Sequence, residues 1–126
     1  LDLEHMECRW ASDIDPKRKD IQQKDVFDIK ASDLEGVDVI ITNPPWTRIF
    51  LHKLIEFLMT DIKKPTFLLF DADWMHTQQS RPYMPFCRKI VSVGRIKWFG
   101  NMTGKDNCAW YLFSFETGPT EFVGRV

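Results

Sequence analysis

The 126 residues carry 17 Lys+Arg against 18 Asp+Glu, a formal net charge of −1, with 44% hydrophobic and 13% aromatic residues. Such a chain has the length and apolar content for one domain with a real core, which excludes disorder. The balanced charge excludes a chain-wide basic footprint for nucleic acid; no apolar run approaches the roughly 20 residues of a membrane span, and no signal peptide is legible. Three cysteines, Cys8, Cys87 and Cys108, form an odd count without a CxxC pair. That usage points to a reducing cytoplasm rather than to a disulfide framework.

The opening residues LDLEHMEC read as the end of a helix already under way, so the sequence is expected to be a fragment of a longer protein. Cys8 to Ser12 is a short apolar-rich run broken at Asp13-Ile14-Asp15-Pro16. Lys17 to Lys24 is polar, and Asp25-Val26-Phe27-Asp28 suits a short strand. Val37 to Thr42 (VDVIIT) is the clearest strand, and its lack of polar alternation implies burial on both faces, as in a parallel sheet.

Asn43-Pro44-Pro45-Trp46 stops that strand. From Ile49 to Met59 apolar residues recur at helical spacing, with His52 on the polar, solvated side. Pro65 to Phe70 predicts a second buried strand, ending at Asp71-Ala72-Asp73. Trp74 to Phe86 is irregular, limited by Pro82 and Pro85. Ile90 to Phe99 predicts a strand with a break at Gly94, Gly100 to Asn107 a polar loop, and Ala109 to Phe115 the final strand. The last pair lacks a crossover helix and is expected to be antiparallel. The whole is an α/β pattern with a mostly parallel sheet.

In open α/β sheets ligands bind beyond the carboxyl ends of the strands. Asp13, Asp25, Asn43 and Asp71 all fall at predicted strand ends. Turns favour Asp and Asn in any case, so the weight rests on Asn43-Pro44-Pro45-Trp46. The two prolines fix φ and extend the residues before them, which makes the loop stiff. The Asn43 amide oxygen and the Pro44 carbonyl can then converge on one amino group, with the Trp46 face beside them. That arrangement suits a planar ring bearing an amino group. Asp71, Asp73 and His76 are better read as the polar end of a strand than as a metal or acid/base cluster. The basic residues Lys63, Lys64, Arg88, Lys89, Arg95 and Lys97 are scattered and read as a solvated surface.

The run DVIITNPPW resembles the catalytic motif of class I, S-adenosylmethionine-dependent amino-methyltransferases, above all the N6-adenine DNA methyltransferases of restriction–modification or phage type. Two further elements occur in the family's order. SDIDPK resembles its acidic element, where Asp13 would hold the cofactor ribose with Ile14 beside the adenine. Asp25-Val26 resembles its next element, where the Asp accepts from the cofactor adenine amino group. The resemblance implies a Rossmann-like methyltransferase fold with an antiparallel closing strand, residues 1–126 forming one partial catalytic domain. It also implies S-adenosylmethionine as cofactor and adenine-containing DNA as partner. Asn43, Pro44, Pro45 and Trp46 would form the catalytic loop, and Phe99 would stack on the base with Trp46. No metal is implied. The family's glycine-rich loop has no counterpart here, since the first glycine is Gly36. A missing N-terminal segment or a partner chain is therefore expected to complete the sheet. Two other functions fit the same residues: methylation of another amino nitrogen (guanine N2 in RNA or glutamine in protein), and a non-catalytic remnant that binds a partner.

Overall fold

The computed structural model describes residues 7–13, 16, 19, 21–95 and 107–125. The expected helix end at residues 1–6 lies outside them, as do Ile14, Lys97 and Phe99. The chain is α/β and divides into two compact units, Leu1–Asp38 and Val39–Val126. Among the described residues, no helix is long and apolar enough to cross a membrane.

In the first unit Ser12–Asp13 (β1) pairs in parallel with Gln22–Gln23 (β2). The strand expected at Asp25–Asp28 is instead a 3-10 turn over Val26–Asp28. Its cause is local: the Asp25 carboxylate accepts from the Phe27 N–H at 3.0 Å, a bond that closes a turn and competes with extension. A second 3-10 turn, Ala31–Leu34, buries Leu34. It leads to Gly36, whose φ of +80° suits a residue without a Cβ.

The second unit holds a five-stranded mixed sheet in the order β3-β4-β6-β5-β7. Its strands are Ile40–Thr42 (β3), Thr66–Asp71 (β4), Cys87–Arg95 (β5), Asn107–Phe113 (β6) and Glu121–Val123 (β7). β3 is parallel to β4, and β5 to β7; β6 runs antiparallel to both β4 and β5. Four strands thus point one way. The antiparallel β5–β6 pair is as expected. However, the reversed strand sits inside the sheet, and β7 beyond Phe115 was not foreseen. Its three residues carry too short a pattern to read.

VDVIIT forms strand only at Ile40–Thr42, and burial on both faces does not hold: Ile41 is 40% exposed. The reason is position. β3 is an edge of the five-stranded sheet. β4 does have the doubly covered character, with Leu68 and Phe70 fully buried and Leu69 nearly so.

The predicted helix is α1, Arg48–Phe57, extended by a π-helical turn over Leu58–Ile62. Leu51, Leu54, Ile55, Leu58, Met59 and Ile62 bury one face at spacings of one, three and four. Ile49 does not belong to that stripe and is 89% exposed. The helix stops at Lys63, which is left-handed at φ +57° and returns its N–H to Leu58 O at 2.8 Å.

Residues 72–86 cross from β4 to β5 through three 3-10 turns, the irregular stretch expected. Trp74 from this connection is fully buried and sets its edge against Phe70, Tyr111 and Phe113 at 5.1, 5.2 and 5.9 Å. Phe70 and Tyr111 stack across β4 and β6 at 4.1 Å. Gly94 marks the expected break, with φ +92° and a register shift between Ser92 and Gly94.

Candidate functional site

The β3–β4 register sets Thr42 beside Leu68, so Asn43 leaves the sheet at the carboxyl end of β3, alongside the second half of the parallel strand β4. Thr42 and Arg48 bracket a five-residue loop with two prolines. Pro44 is buried, whereas Asn43 and Pro45 are exposed. The Trp46 indole folds back onto the neighbouring strand. Its Nε1–H donates to Leu69 O at 3.1 Å and lies 3.3 Å from Asn43 Oδ1. The loop therefore presents a side-chain amide at its rim and an anchored, half-buried aromatic ring beside it.

A second tie stands two residues further along both segments. Arg48, first in α1, donates through both terminal guanidinium nitrogens to the Asp71 carboxylate at 2.8 and 2.9 Å. Their side chains are 32% and 19% exposed, so water screens the pair only in part. The hydrogen bonds that Arg48 donates to Asp71 raise its guanidinium pKa above the ordinary value, against the opposing cost of burial. Tyr111 of β6 reaches the same place from behind: its hydroxyl donates to Asp71 O at 2.9 Å and to Ala72 O at 3.2 Å. Burial first, and then the Asp71 charge, push the Tyr111 hydroxyl up, which keeps it protonated and a donor.

Farther down α1, His52 is not solvated as expected. Its Nε2 accepts from the buried Trp74 Nε1–H at 3.0 Å, and its ring stacks on Tyr83 at 4.6 Å. Tyr83 in turn donates to Glu56 at 3.0 Å. Burial lowers the His52 pKa, Arg48 lowers it further, and Glu56 opposes. One helix face thus uses Arg48, His52 and Glu56, four residues apart, to hold the end of β4 and the connection after it.

In the first unit the parallel register sets Asp13 opposite Gln23 at the carboxyl ends of β1 and β2. Lys24 N–H donates to Asp13 O at 2.8 Å, and Asp25 follows directly. Asp13 and the Asp25–Val26 pair therefore lie at one end of this small sheet. Asp25 caps its turn, and Val26 is half-buried within it.

The structure thus gathers Asn43, Pro44, Pro45 and Trp46 in one loop, and Asp13 with Asp25 and Val26 in one corner of the other unit. Arg48 and Tyr111 were missed, and Asp71 was seen without its partner. Arg48 had a legible signal: a cation two residues past Trp46 with no acidic residue three or four positions along its helix. Among the described residues no three His, Cys, Asp or Glu side chains are grouped to hold a metal. A groove of about 600 Å³ opens elsewhere in the second unit, between Met75, Arg81, Met84 and Pro119. The hydroxyls of Thr77, Ser80 and Thr120 on its wall are spent on backbone carbonyls. Compared with protein-family models, curated proteins and solved structures, the chain matches none.

Proposed function

We propose that this chain carries the catalytic loop of an S-adenosylmethionine-dependent methyltransferase acting on the N6 amino group of adenine in DNA. The observation that carries the reading is the Asn43–Trp46 loop. It is stiff, it stands at the carboxyl end of β3 against the second half of its parallel neighbour β4, and it shows an exposed amide beside an anchored indole. Two further features support it: the resemblance of DVIITNPPW to the family motif, and a sheet in which one reversed strand lies among four that share a direction.

The chemistry follows from that geometry. A target adenine must leave the duplex, at a cost of a few kcal/mol. Stacking on the Trp46 ring offsets part of it, at about 1–3 kcal/mol per base on an aromatic face. The Asn43 amide oxygen has two lone pairs, and the Trp46 indole claims at most one of them. The other can accept an N6 proton, fixing the amino group and turning its lone pair outward. S-adenosylmethionine, when bound, would supply an electrophilic methyl on a positively charged sulfur, which would take back the electron pair of the broken S–C bond and leave as a neutral thioether. Asn43 is neutral and no base, so it acts by holding N6 in line; the N6 proton leaves to solvent after the nitrogen has become cationic. Positioning of this kind supplies much of the rate where reacting atoms are held close.

The residues fit the adenosine end of the cofactor. The Asp25 carboxylate has a second oxygen beside the one that holds Phe27 N–H, and Asp13 lies at the same end of the small sheet, where the resemblance puts the ribose contact. The methionine end meets no glycine-rich cradle within these residues, because the first glycine is Gly36.

The test is transfer of a labelled methyl group from S-adenosylmethionine to adenine-containing DNA by the full native chain, with N6-methyladenine identified in the digest. Asn43→Ala should abolish transfer while calorimetric binding of S-adenosylmethionine is retained. Undiminished methylation by the variant, or none by the wild type, refutes the reading. Label entering RNA guanine or protein glutamine instead would replace the substrate while keeping the loop's role.

A further inference from the structure

We propose that Arg48 is a positioning residue for this site, acting through Asp71 to lock the Asn43–Trp46 loop onto the end of β4. Its kinetic consequence rests on the methyl-transfer reading; the clamp itself rests on geometry. The loop is fixed at its start by the pairing of Thr42 with Leu68. Arg48 fixes its far end by a two-pronged bond to Asp71 at 2.8 and 2.9 Å. Trp46 bonds Leu69 O at 3.1 Å midway. The two ties run in step, residue 46 to 69 and 48 to 71, like rungs from the loop onto one strand. Asp71 cannot drift as an anchor, because Tyr111 of β6 holds its backbone carbonyl at 2.9 Å. Five residues with two prolines between fixed ends have little slack, so the exposed Asn43 amide inherits its place from both anchors.

Arginine suits the task. Its planar fork meets a carboxylate at two points and fixes orientation, where a lysine fixes only a distance. Both of its terminal nitrogens face Asp71, which favours a clamp over a hand extended to a DNA phosphate.

The experiment compares Arg48→Met, Arg48→Lys, Asp71→Asn and the double variant Arg48→Met/Asp71→Asn in the full native chain. Three quantities are read: kcat and KM for DNA, the salt dependence of DNA binding, and hydrogen exchange of the Trp46 indole N–H by NMR. Arg48→Met and Asp71→Asn should each lower kcat by roughly 10–100-fold, the size expected of a displacement near 1 Å. KM should change little, and the indole proton should exchange faster. The double variant should be no worse than the poorer single, and Arg48→Lys should recover part of the loss. Full kcat in Asp71→Asn, or losses that multiply in the double variant, would overturn the clamp. So would a raised KM with a shallower salt slope in Arg48→Met alone, which would make Arg48 a phosphate contact. If the wild type transfers no methyl, the methyl-transfer reading falls. The clamp is then judged by the indole proton, and unchanged exchange in Arg48→Lys and Asp71→Asn overturns it. Those two variants also decide the matter should Arg48→Met fail to fold.

Discussion

Tyr111→Phe removes a single oxygen from the centre of the larger unit and keeps the ring. The side chain is fully buried, and its stack on Phe70 at 4.1 Å and its edge contact with Trp74 at 5.2 Å need no hydroxyl. What is lost is the donor shared by Asp71 O at 2.9 Å and Ala72 O at 3.2 Å, where β4 ends and the crossover begins. A buried hydrogen bond is worth about 0.5–1.5 kcal/mol net, and leaving its acceptor dry costs about 1–3 kcal/mol. The Ala72 bond is the longer and weaker of the two, and the carbonyls lie close to the half-buried Asp71, so we expect a loss of about 1–2 kcal/mol. For a domain of this size that is a fall in Tm of roughly 5–15 °C. Urea denaturation followed by far-UV circular dichroism gives the free energy, and the slope with urea should not change, since no surface is uncovered in the folded state. A variant as stable as the wild type would refute the reasoning, because water would then have to serve both carbonyls without cost. A large loss with a changed slope would mean that the ring, not the hydroxyl, had moved.

Other perturbations reach other parts of the same frame. The folded-state pKa of His52 is lowered, chiefly by burial, while the unfolded value is about 6.5. Its contribution is therefore intact above that value and lost as the pH falls from there through the folded value, because the unfolded chain takes the proton first. Melting curves between pH 8 and 5 should show this loss, and His52→Gln should remove that part of the dependence. A Cβ at Gly118 would stand 2.7 Å from the guanidinium carbon of Arg88, which holds Glu116 O at 3.1 Å. Gly118→Ala should displace that guanidinium at a cost of about 1 kcal/mol, read as faster exchange of the N–H at position 118 bonded to Pro85 O; unchanged exchange would argue against a role for the Arg88 bond to Glu116 in holding this turn. Gly94→Ala should cost more, about 1–3 kcal/mol, because φ +92° is strained for any side chain and the Cβ would meet Arg125 at 2.8 Å. Asp25→Asn should keep the cap on Phe27 N–H and the fold while weakening S-adenosylmethionine binding. Asp25→Ala should lose both, and equal cofactor binding in Asp25→Asn and wild type would remove Asp25 from the site.

What could be read in advance divides along the range of the forces involved. PTFLLF declared itself because both faces of β4 are largely covered: Leu68, Leu69 and Phe70 are buried in succession, which leaves no polar alternation. The helix declared itself through its stripe from Leu51 to Ile62, and Ile49 misled because hydrophobicity alone does not say which side of a turn faces inward. VDVIIT looked doubly buried for the same reason: composition gives a strand's preference, while an edge is decided by which partners the rest of the chain supplies. Asp25 reversed its expected strand by a bond of two residues' reach, which a propensity summed over a window averages away.

The candidate site shows the same division more sharply. Asn43-Pro44-Pro45-Trp46 was legible because its stiffness is covalent and needs no partner. Its anchors were not, since Arg48 to Asp71 spans 23 residues and Tyr111 to Asp71 spans 40. A stiff loop without anchors would present its amide at many angles. The same loop tied at Thr42, Trp46 and Arg48 presents it at one, and the proposed role of holding a nitrogen in line for transfer depends on that restriction. On the proposed reading the motif supplies the chemistry, whereas the charge pair and the tyrosine behind it determine whether that chemistry has a fixed place to occur.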